Sequence, residues 1–361
     1  MNMETTLLAD REHTAIQESL NDVNAEDETR MGLVEPELHQ LFIPGSLQHD
    51  IYVVDESRQR SGSFKANGMA YAVARYLVDN PSIETFYSGT AGNAGAALAW
   101  AALCRGRRAV LYAPRTLEQH PAKKENMERY EGVVNVVESD VVSDAVIESR
   151  HAAEVDAFGQ LVHPYDDKYA FYGQGLVVRR IARNKSKFDP EKPVVQMLGL
   201  GGGSLSATGA STGYEHGWQT HVVKPETYMD PSYEGLAVET PGDRASAILD
   251  DSRFVVGTEA VSDADTGRAS LAMQREFKRA YEPSGLAGLA AVLRHARNNP
   301  EPTTYVTVLS GRNVSRGALN KFVRAALKEQ DELGIPAVPN APSRTERRLL
   351  VACGTTALGD F

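Results

Sequence analysis

The sequence predicts an α/β fold in which parallel strands are covered by helices on both faces. From Ile51 onward, short apolar runs alternate with helical patterns of ten or more residues. Such alternation is typical of β-α-β units and of a parallel sheet. The chain has 361 residues, which allows two lobes or one large domain, and its 42% hydrophobic and 24% charged residues are ordinary for a globular protein.

Eight apolar runs are the predicted strands. In chain order they are IYVVD, ETFYS, RAVLYAP, VVNVVES, VVQMLGL, HVV, FVVG and YVTVLSG. Helices are predicted at Gly68–Leu77, in the alanine-rich stretch AGAALAWAALC and around Lys123–Tyr130. Parallel sheets bind ligands in the loops that follow the carboxyl ends of their strands, so the functional residues are sought there.

Charge and cysteine content exclude several classes of protein. A net charge of -10 without a basic run argues against binding of nucleic acid. The two cysteines, Cys104 and Cys353, form no disulfide framework and no zinc pattern. They favour a reducing cytoplasm, and no metal site is expected. The N-terminus is unlike a signal peptide, and no run of about 18 apolar residues predicts a membrane span.

The loop Ser88–Gly95, SGTAGNAG, follows a predicted strand and opens the alanine-rich helix. Its small residues leave backbone N–H groups exposed at a helix N-terminus, where a carboxylate or phosphate can bind. Asn93 can hydrogen-bond to such a ligand. A tight turn without a ligand is the alternative interpretation.

The loop Gly199–Gly209, GLGGGSLSATG, contains three consecutive glycines. Close approach of the backbone to a phosphate is the best reason for such a costly run. A dinucleotide-binding GxGxxG motif is not met, because Ser204 stands at the third glycine position and the loop lies far along the chain. A P-loop is not met either, and a plain loop is the alternative.

Three further stretches carry polar residues in suggestive places. In SGSFKANG, Lys65 follows Phe64, although a lysine in a turn is usually a solvated charge. Ser310 ends a predicted strand in VLSGRNVS and is either a turn residue or a ligand contact. In EPSGLAGLAAVLRHA, Ser284 is interpreted as a helix N-cap, and Glu282 is either a surface carboxylate or a site residue.

Together these motifs resemble fold type II pyridoxal-phosphate enzymes, and most closely the threonine/serine dehydratase and serine racemase family. The match runs from Ile51 to Ala318 in the family's order and includes HPYDDKYAFYGQG, YEGLAV and YEPSGLAGLAAVL. The resemblance implies a tryptophan synthase β-like α/β fold with two parallel-sheet, three-layer domains, and a homodimer. The boundaries it implies are a partly ordered N-terminal extension at 1–45, a large cofactor-binding domain at 46–80 and 160–361, and a small domain at 81–159.

The resemblance also implies roles at matched positions. Lys65 would hold pyridoxal 5'-phosphate as a Schiff base and then act as the general base. Phe64 would lie against the cofactor ring, Asn93 would bond to its 3-hydroxyl group, and Ser310 would meet its pyridine nitrogen. The remaining implied cofactor contacts are Gly201, Gly202, Gly203, Ser204, Leu205 and Gly235. The implied contacts to the substrate carboxylate are Thr90, Ala91, Gly92 and Asn93.

The activity that the resemblance implies is β-elimination from a small serine- or threonine-like amino acid, which yields a 2-oxo acid and ammonia. A neutral Ser310 would not keep the ring nitrogen protonated, which favours short-lived carbanions and prompt elimination. Three alternatives stay open. They are β-replacement as in cysteine-synthase-like enzymes, a threonine synthase-like reaction, and a non-catalytic homologue that binds the cofactor or an amino acid.

Several positions depart from the family pattern. Ala91 stands where the racemases have a serine that acts as acid and base, so two-base racemisation is disfavoured. Asn67 replaces the arginine of SFKxRG and suggests an unusual substrate. Lys224, in VVKP, stands where many members have a glutamate at a cation site. A protonated lysine cannot ligate a metal, so we expect this cation site to be absent.

Overall fold

Two sheets organise the chain in the computed structural model, which describes residues 3–43, 48–227, 230–314 and 316–333. The helices are α1 (Met3–Asn21), α2 (Ala25–Arg30), α3 (Lys65–Asp79), α4 (Asn93–Leu103), α5 (Pro121–Glu128), α6 (Val142–Val155), α7 (Lys168–Gln174), α8 (Leu176–Arg183), α9 (Ser204–Glu215), α10 (Asp243–Leu249), α11 (Asp263–Phe277), α12 (Pro283–Asn298) and α13 (Asn320–Leu333). The strands are β1 (Leu38–Leu41), β2 (Asp50–Asp55), β3 (Thr85–Gly89), β4 (Arg108–Pro114), β5 (Val133–Val137), β6 (Gly159–Leu161), β7 (Val194–Gly199), β8 (Gln219–Pro225), β9 (Gly257–Val261) and β10 (Thr304–Leu309).

The larger sheet has the strand order β1-β2-β10-β7-β8-β9. Every neighbouring pair is parallel except β1 and β2, which are antiparallel. Successive side chains of a strand point to opposite faces. Accordingly, Ile51 and Val53 pack with apolar residues of α12, whereas Tyr52 and Val54 pack with those of α8. Helices therefore cover both faces, and the predicted α/β fold with parallel sheets is confirmed.

The smaller sheet has the order β5-β4-β3-β6, and all of its pairs are parallel. Phe86 of β3 and Leu111 of β4 share one apolar cluster with the alanines of α4 and with Met69 of α3. The small side chains of α4 allow this close packing of helix on sheet and helix on helix. The predicted small domain ends at residue 159, and the paired strand β6 extends past that position to Leu161.

The predicted strand FVVG is wrong for its first three residues. Residues 254–256 form a turn and an irregular segment, and β9 begins only at Gly257. Phe254 is buried, and its ring centre lies 4.8 Å from that of Tyr214 and 5.1 Å from that of His13. The apolar character of this stretch therefore reflects an aromatic cluster that anchors the chain ahead of the strand.

The predicted N-terminal extension contributes α1, α2 and the edge strand β1. His13 of α1 hydrogen-bonds to Ser211 of α9 at 2.8 Å, and Glu12 pairs with Arg244 at 3.2 Å. These contacts fasten α1 to α9, the helix that follows the glycine-rich loop, and to α10. The predicted end of the extension at residue 45 and the last part of the large domain, residues 334–361 with Cys353, lie outside the described residues.

Candidate active site

A cleft opens at the carboxyl ends of the strands of the larger sheet. Its empty space, the open mouth included, is about 670 Å³. The residues that line it are Phe64, Lys65, Asn93, Gly199, Gly201, Gly202, Gly203, Ser204, Leu205, Gly235, Leu236, Glu282, Ser284, Gly288, Val308 and Ser310. The cleft thus brings together residues from all five stretches that the sequence singled out. Thr90, Ala91 and Gly92 do not form its wall, but they lead directly into Asn93, which does.

Lys65 is the first residue of α3, and its side chain is half-buried at the cleft. Its Nζ donates a hydrogen bond to the carbonyl of Pro164 at 3.2 Å and lies 5.0 Å from the ring centre of Phe64. Burial of this amine lowers its pKa to about 8. A larger fraction is therefore neutral near neutral pH than for an exposed lysine, which is what a nucleophilic amine requires.

The loop that carries Lys65 is tied to the end of β10. The Phe64 N–H donates to the carbonyl of Ser310 at 2.8 Å. The side-chain amide of Asn313 donates to the carbonyl of Ser61 at 2.9 Å. Because both bonds join the same two loops, Lys65 and Ser310 are held together in the lining of one cleft.

The glycine-rich loop forms a bare backbone surface before α9. Gly203 is the N-cap of α9 with a φ of 88°, a conformation that favours glycine. A Cβ atom on Gly201 would lie 2.2 Å from the carbonyl oxygen of Gly235, and one on Gly202 would lie 2.3 Å from the ring of Tyr165. The first N–H groups of a helix have no intrahelical partner, so this surface is suited to bind an anion.

Asn93 and Glu282 form a hydrogen-bonded pair in the lining of the cleft. The Nδ2 of Asn93 donates to both carboxylate oxygens of Glu282, at 2.9 and 3.1 Å, and its Oδ1 accepts a bond from Asn313 at 2.7 Å. Glu282 is only 5% exposed, and burial raises the pKa of its carboxyl group. Of the two interpretations of Glu282, the geometry therefore favours the site residue.

Ser284 does not cap the helix, contrary to the prediction. The N-cap of α12 is Glu282 and the first helical residue is Pro283, a residue that is favoured at that position because its missing N–H is not needed there. The hydroxyl of Ser284 instead accepts a hydrogen bond from the N–H of Gly235 at 3.1 Å. It thereby connects the two loops that form one side of the cleft.

Asn67 does not reach the cleft, so its difference from the family arginine is no sign of an unusual substrate. Its side chain is fully buried, and its Nδ2 donates to Glu56 at 2.7 Å. Its Oδ1 accepts a hydrogen bond from Arg180 at 2.8 Å, and Arg180 also pairs with Glu56 at 3.0 Å and with Glu28 at 2.6 Å. Asn67 therefore belongs to a buried ionic cluster behind Lys65.

The expected absence of the cation site stays a prediction. Lys224 is half-buried at the end of β8 and lines a small cavity together with Gly201 and Leu236. The described part of the chain contains no group of three or more histidine, cysteine, aspartate or glutamate side chains that could hold a metal ion. Measurement of manganese binding to the purified protein tests the prediction.

Lys123 and Glu234 were not identified as site residues from the sequence. Lys123 of α5 is 7% exposed, and its ammonium pairs with the carboxylate of Glu234, which also contacts His120 at 2.6 Å. The run HPAKKEN reads as the solvated start of a helix, with two adjacent lysines that the sequence alone cannot distinguish. Only the fold shows that one of them is enclosed beside the cleft.

Comparison with known proteins shows which proteins the chain is similar to. A family model described as pyridoxal-phosphate dependent enzyme matches residues 36–311. Human L-serine dehydratase/L-threonine deaminase is 26% identical over 309 residues, which are 78% of this chain and 89% of the relative. Serine racemase of Arabidopsis thaliana is 29% identical over 283 residues, which are 73% of this chain and 83% of the relative.

A solved structure has the same fold. The processed form of threonine deaminase isoform 2 from Solanum lycopersicum superposes with a TM-score of 0.73 at 19% identity, over 91% of this chain and 90% of that chain. The fold type II architecture that the sequence motifs imply is confirmed by this likeness. The chain therefore belongs to the family of pyridoxal-phosphate dependent enzymes, and its resemblance to the threonine/serine dehydratase and serine racemase family is confirmed.

Proposed function

We propose that the protein eliminates the β-hydroxyl group of a small amino acid such as L-serine or L-threonine and releases a 2-oxo acid and ammonia. At the family level it is a lyase that depends on pyridoxal phosphate. One observation carries the finer proposal. The half-buried amine of Lys65 shares a cleft with a bare-backbone helix N-terminus and with the neutral hydroxyl residue Ser310.

The residues of the cleft fit pyridoxal phosphate. The backbone of Gly201–Leu205, where Cβ atoms on the glycines would collide with neighbouring loops, suits the phosphate group. The Nζ of Lys65 bonds to a backbone carbonyl rather than to a carboxylate, so it can hold the cofactor covalently. Phe64 would pack against the ring, while Asn93 and Ser310 would bond to its polar atoms. Gly235 would line its other side.

In the proposed mechanism, residues of the cleft orient the substrate and remove its α-proton. Bound pyridoxal phosphate supplies an electron sink for the bonds at the substrate Cα. Lys65 Nζ takes the α-proton as general base, the Cβ–O bond breaks, and one water leaves in total. The released enamine tautomerises to an imine, and hydrolysis of that imine by one water gives the 2-oxo acid and ammonia. The loop Thr90–Asn93 orients the substrate carboxylate. Ala91 stands where the racemases have a serine that acts as acid and base, and an alanine has no proton to exchange there, which supports elimination rather than racemisation.

The proposal is tested by incubating the purified holoenzyme with a panel of L-amino acids and measuring 2-oxo acid and ammonia. We expect both products in equal amounts from serine or threonine, with no effect of an added thiol and without formation of the D-enantiomer. If 2-oxo acid release falls while a thioether accumulates, β-replacement is the reaction instead. If no amino acid yields ammonia or a replacement product, the proposed function is wrong.

Replacement of Gly202 with alanine is expected to weaken cofactor binding by about 10- to 100-fold, because overpacking of a tight site costs about 1–3 kcal/mol. The added methyl group would lie 2.3 Å from the Tyr165 ring and push the loop out of place. Titration of the apoenzyme with pyridoxal phosphate measures the dissociation constant. Gly317→Ala is the control, since no atom lies within 4 Å of a Cβ there. Equal affinities of the two variants would contradict the assignment of the phosphate loop.

Two expectations concern the whole protein. We propose a homodimer, which light scattering coupled to size-exclusion chromatography tests directly. A cytoplasmic location also stays a prediction, tested by fractionation of the source cells. Among the helices that the structure describes, none combines the length and the apolar character that crossing a membrane requires.

A further inference from the structure

Lys123 lies where three parts of the site meet. A Cβ atom on Gly92 would lie 2.6 Å from Cδ of Lys123, so the lysine stem packs directly against the loop before α4. Its ammonium pairs with Glu234, the neighbour of the cleft residue Gly235. Burial lowers the pKa of Lys123, and the charge of the cleft residue Glu282 opposes this. The cation therefore adjoins the cleft from the side of the smaller sheet.

In the loop Ser88–Gly95, beside Lys123, some of the backbone N–H groups that could bind a ligand are already hydrogen-bonded. The hydroxyl of Thr90 accepts hydrogen bonds from the N–H groups of Gly92 at 3.0 Å and of Gly95 at 2.9 Å. Two of the four N–H groups that a helix start leaves without an intrahelical partner are thus already bound within the loop. Ala91 and Ala94 have no polar side chains to compensate. A carboxylate held here needs a further donor.

We infer that Lys123 is a substrate-recognition residue whose ammonium binds the α-carboxylate of the amino-acid substrate at the loop Thr90–Asn93. This inference rests on the proposed function only in taking that loop as the carboxylate site. Lys65 is committed to the cofactor, so Lys123 provides the positive charge on this side of the cleft.

Glu234 holds the ammonium in place before substrate binds. Lys123 and Glu234 are largely enclosed, with side chains 9% and 23% exposed, so an unpaired charge on either would be costly. His120, 44% exposed, lies 2.6 Å from the second oxygen of Glu234 and remains its partner when Lys123 turns to the substrate. The substrate carboxylate therefore takes the place of Glu234 beside Lys123. Lys123 is paired with one anion both before and after the substrate binds.

The test measures binding without turnover. L-Alanine and L-alaninamide differ in the carboxylate alone, and neither has a β-leaving group. Each is titrated into the holoenzyme, and the change in the visible absorption of the cofactor gives its dissociation constant. We expect the wild-type protein to prefer alanine, and Lys123→Met to lose about 10- to 100-fold of alanine affinity, as expected for a charge-assisted hydrogen bond, with alaninamide unaffected. Lys123→Arg should retain most of the preference.

The adjacent lysine provides a matched control. Lys124 is 44% exposed and lies 3.9 Å from Glu128, so Lys124→Met should bind both ligands as the wild type does. Glu234→Gln, which removes the competing anion, should bind alanine at least as tightly as the wild type. The inference is overturned if the wild type shows no preference for alanine over alaninamide, or if Glu234→Gln weakens alanine binding. It is also overturned if Lys123→Met keeps the alanine affinity of the wild type, or if Lys123→Arg loses it. A Lys123-dependent preference without elimination of any amino acid would instead refute the proposed function alone.

Discussion

Replacement of Lys65 with arginine is expected to abolish elimination, with a loss of at least about ten-thousand-fold in kcat/KM. A guanidinium stays protonated at any working pH, so it can neither hold the cofactor covalently nor take the α-proton. The lysine amine can do both, because burial lowers its pKa to about 8. Release of 2-oxo acid measures the activity, and loss of the borohydride-sensitive visible absorption measures the covalent attachment.

The conservative charge of this variant makes the result interpretable. Arginine keeps a cation near the carbonyl of Pro164 and the ring of Phe64, so the fold should be retained, which circular dichroism checks. Lys168→Arg, at an exposed position of α7, is the matched control and should have wild-type activity. A Lys65→Arg protein that still turns over amino acids at one-hundredth of the normal rate would show that another residue is the base.

Replacement of Arg180 with methionine is expected to lower the free energy of unfolding by about 3–5 kcal/mol, the usual cost of removing one partner of a buried ion pair. Arg180 is 2% exposed and is the cation shared by Glu28, Glu56 and Asn67. Without it, two carboxylates remain buried with fewer partners. Urea denaturation monitored by circular dichroism measures the difference.

Arg183 provides the control for Arg180. It pairs with the same Glu28 at 2.9 Å, but its side chain is 30% exposed, so Arg183→Met should cost about 1 kcal/mol or less. The loss in Arg180→Met should also depend on pH. Burial raises the pKa of Glu56, and Arg180 opposes this rise. Without Arg180, folded Glu56 favours its protonated form, so the destabilisation should shrink at acidic pH and grow as pH rises. Equal effects of the two variants would contradict a central role for Arg180.

The parts of the cleft that the sequence predicts are those encoded over short distances. The stretches around β7 and β10 are predicted as strands because they are rich in apolar residues. The glycines that follow β7 predict a backbone that comes close to a phosphate. Parallel topology then brings such loops to one edge of a sheet. The order of Lys65, the Asn93 loop, the glycine-rich loop and Ser310 therefore suffices to predict one cleft.

The parts that the sequence does not predict depend on pairs that are distant in the chain. Arg180 and Asn67 are 113 residues apart, and neither stands in a pattern that points to the other. Asn67 could be interpreted only by comparison with the family motif, and that comparison pointed to the substrate. Lys123 differs from Lys124 only in the direction it faces on α5, which no local pattern reveals.

The hydrogen bonds between the loop that carries Lys65 and the end of β10 have a consequence for synthesis of the protein. The side chain of Asn313 bonds to the carbonyl of Ser61, 252 residues earlier. At the usual pace of translation, roughly 10–50 s pass between the emergence of the two partners. A nascent chain therefore exposes Lys65 well before Ser310, another residue of the cleft lining, has been synthesised. We therefore expect the cofactor to be bound, and to stabilise the fold, only in chains that extend past β10.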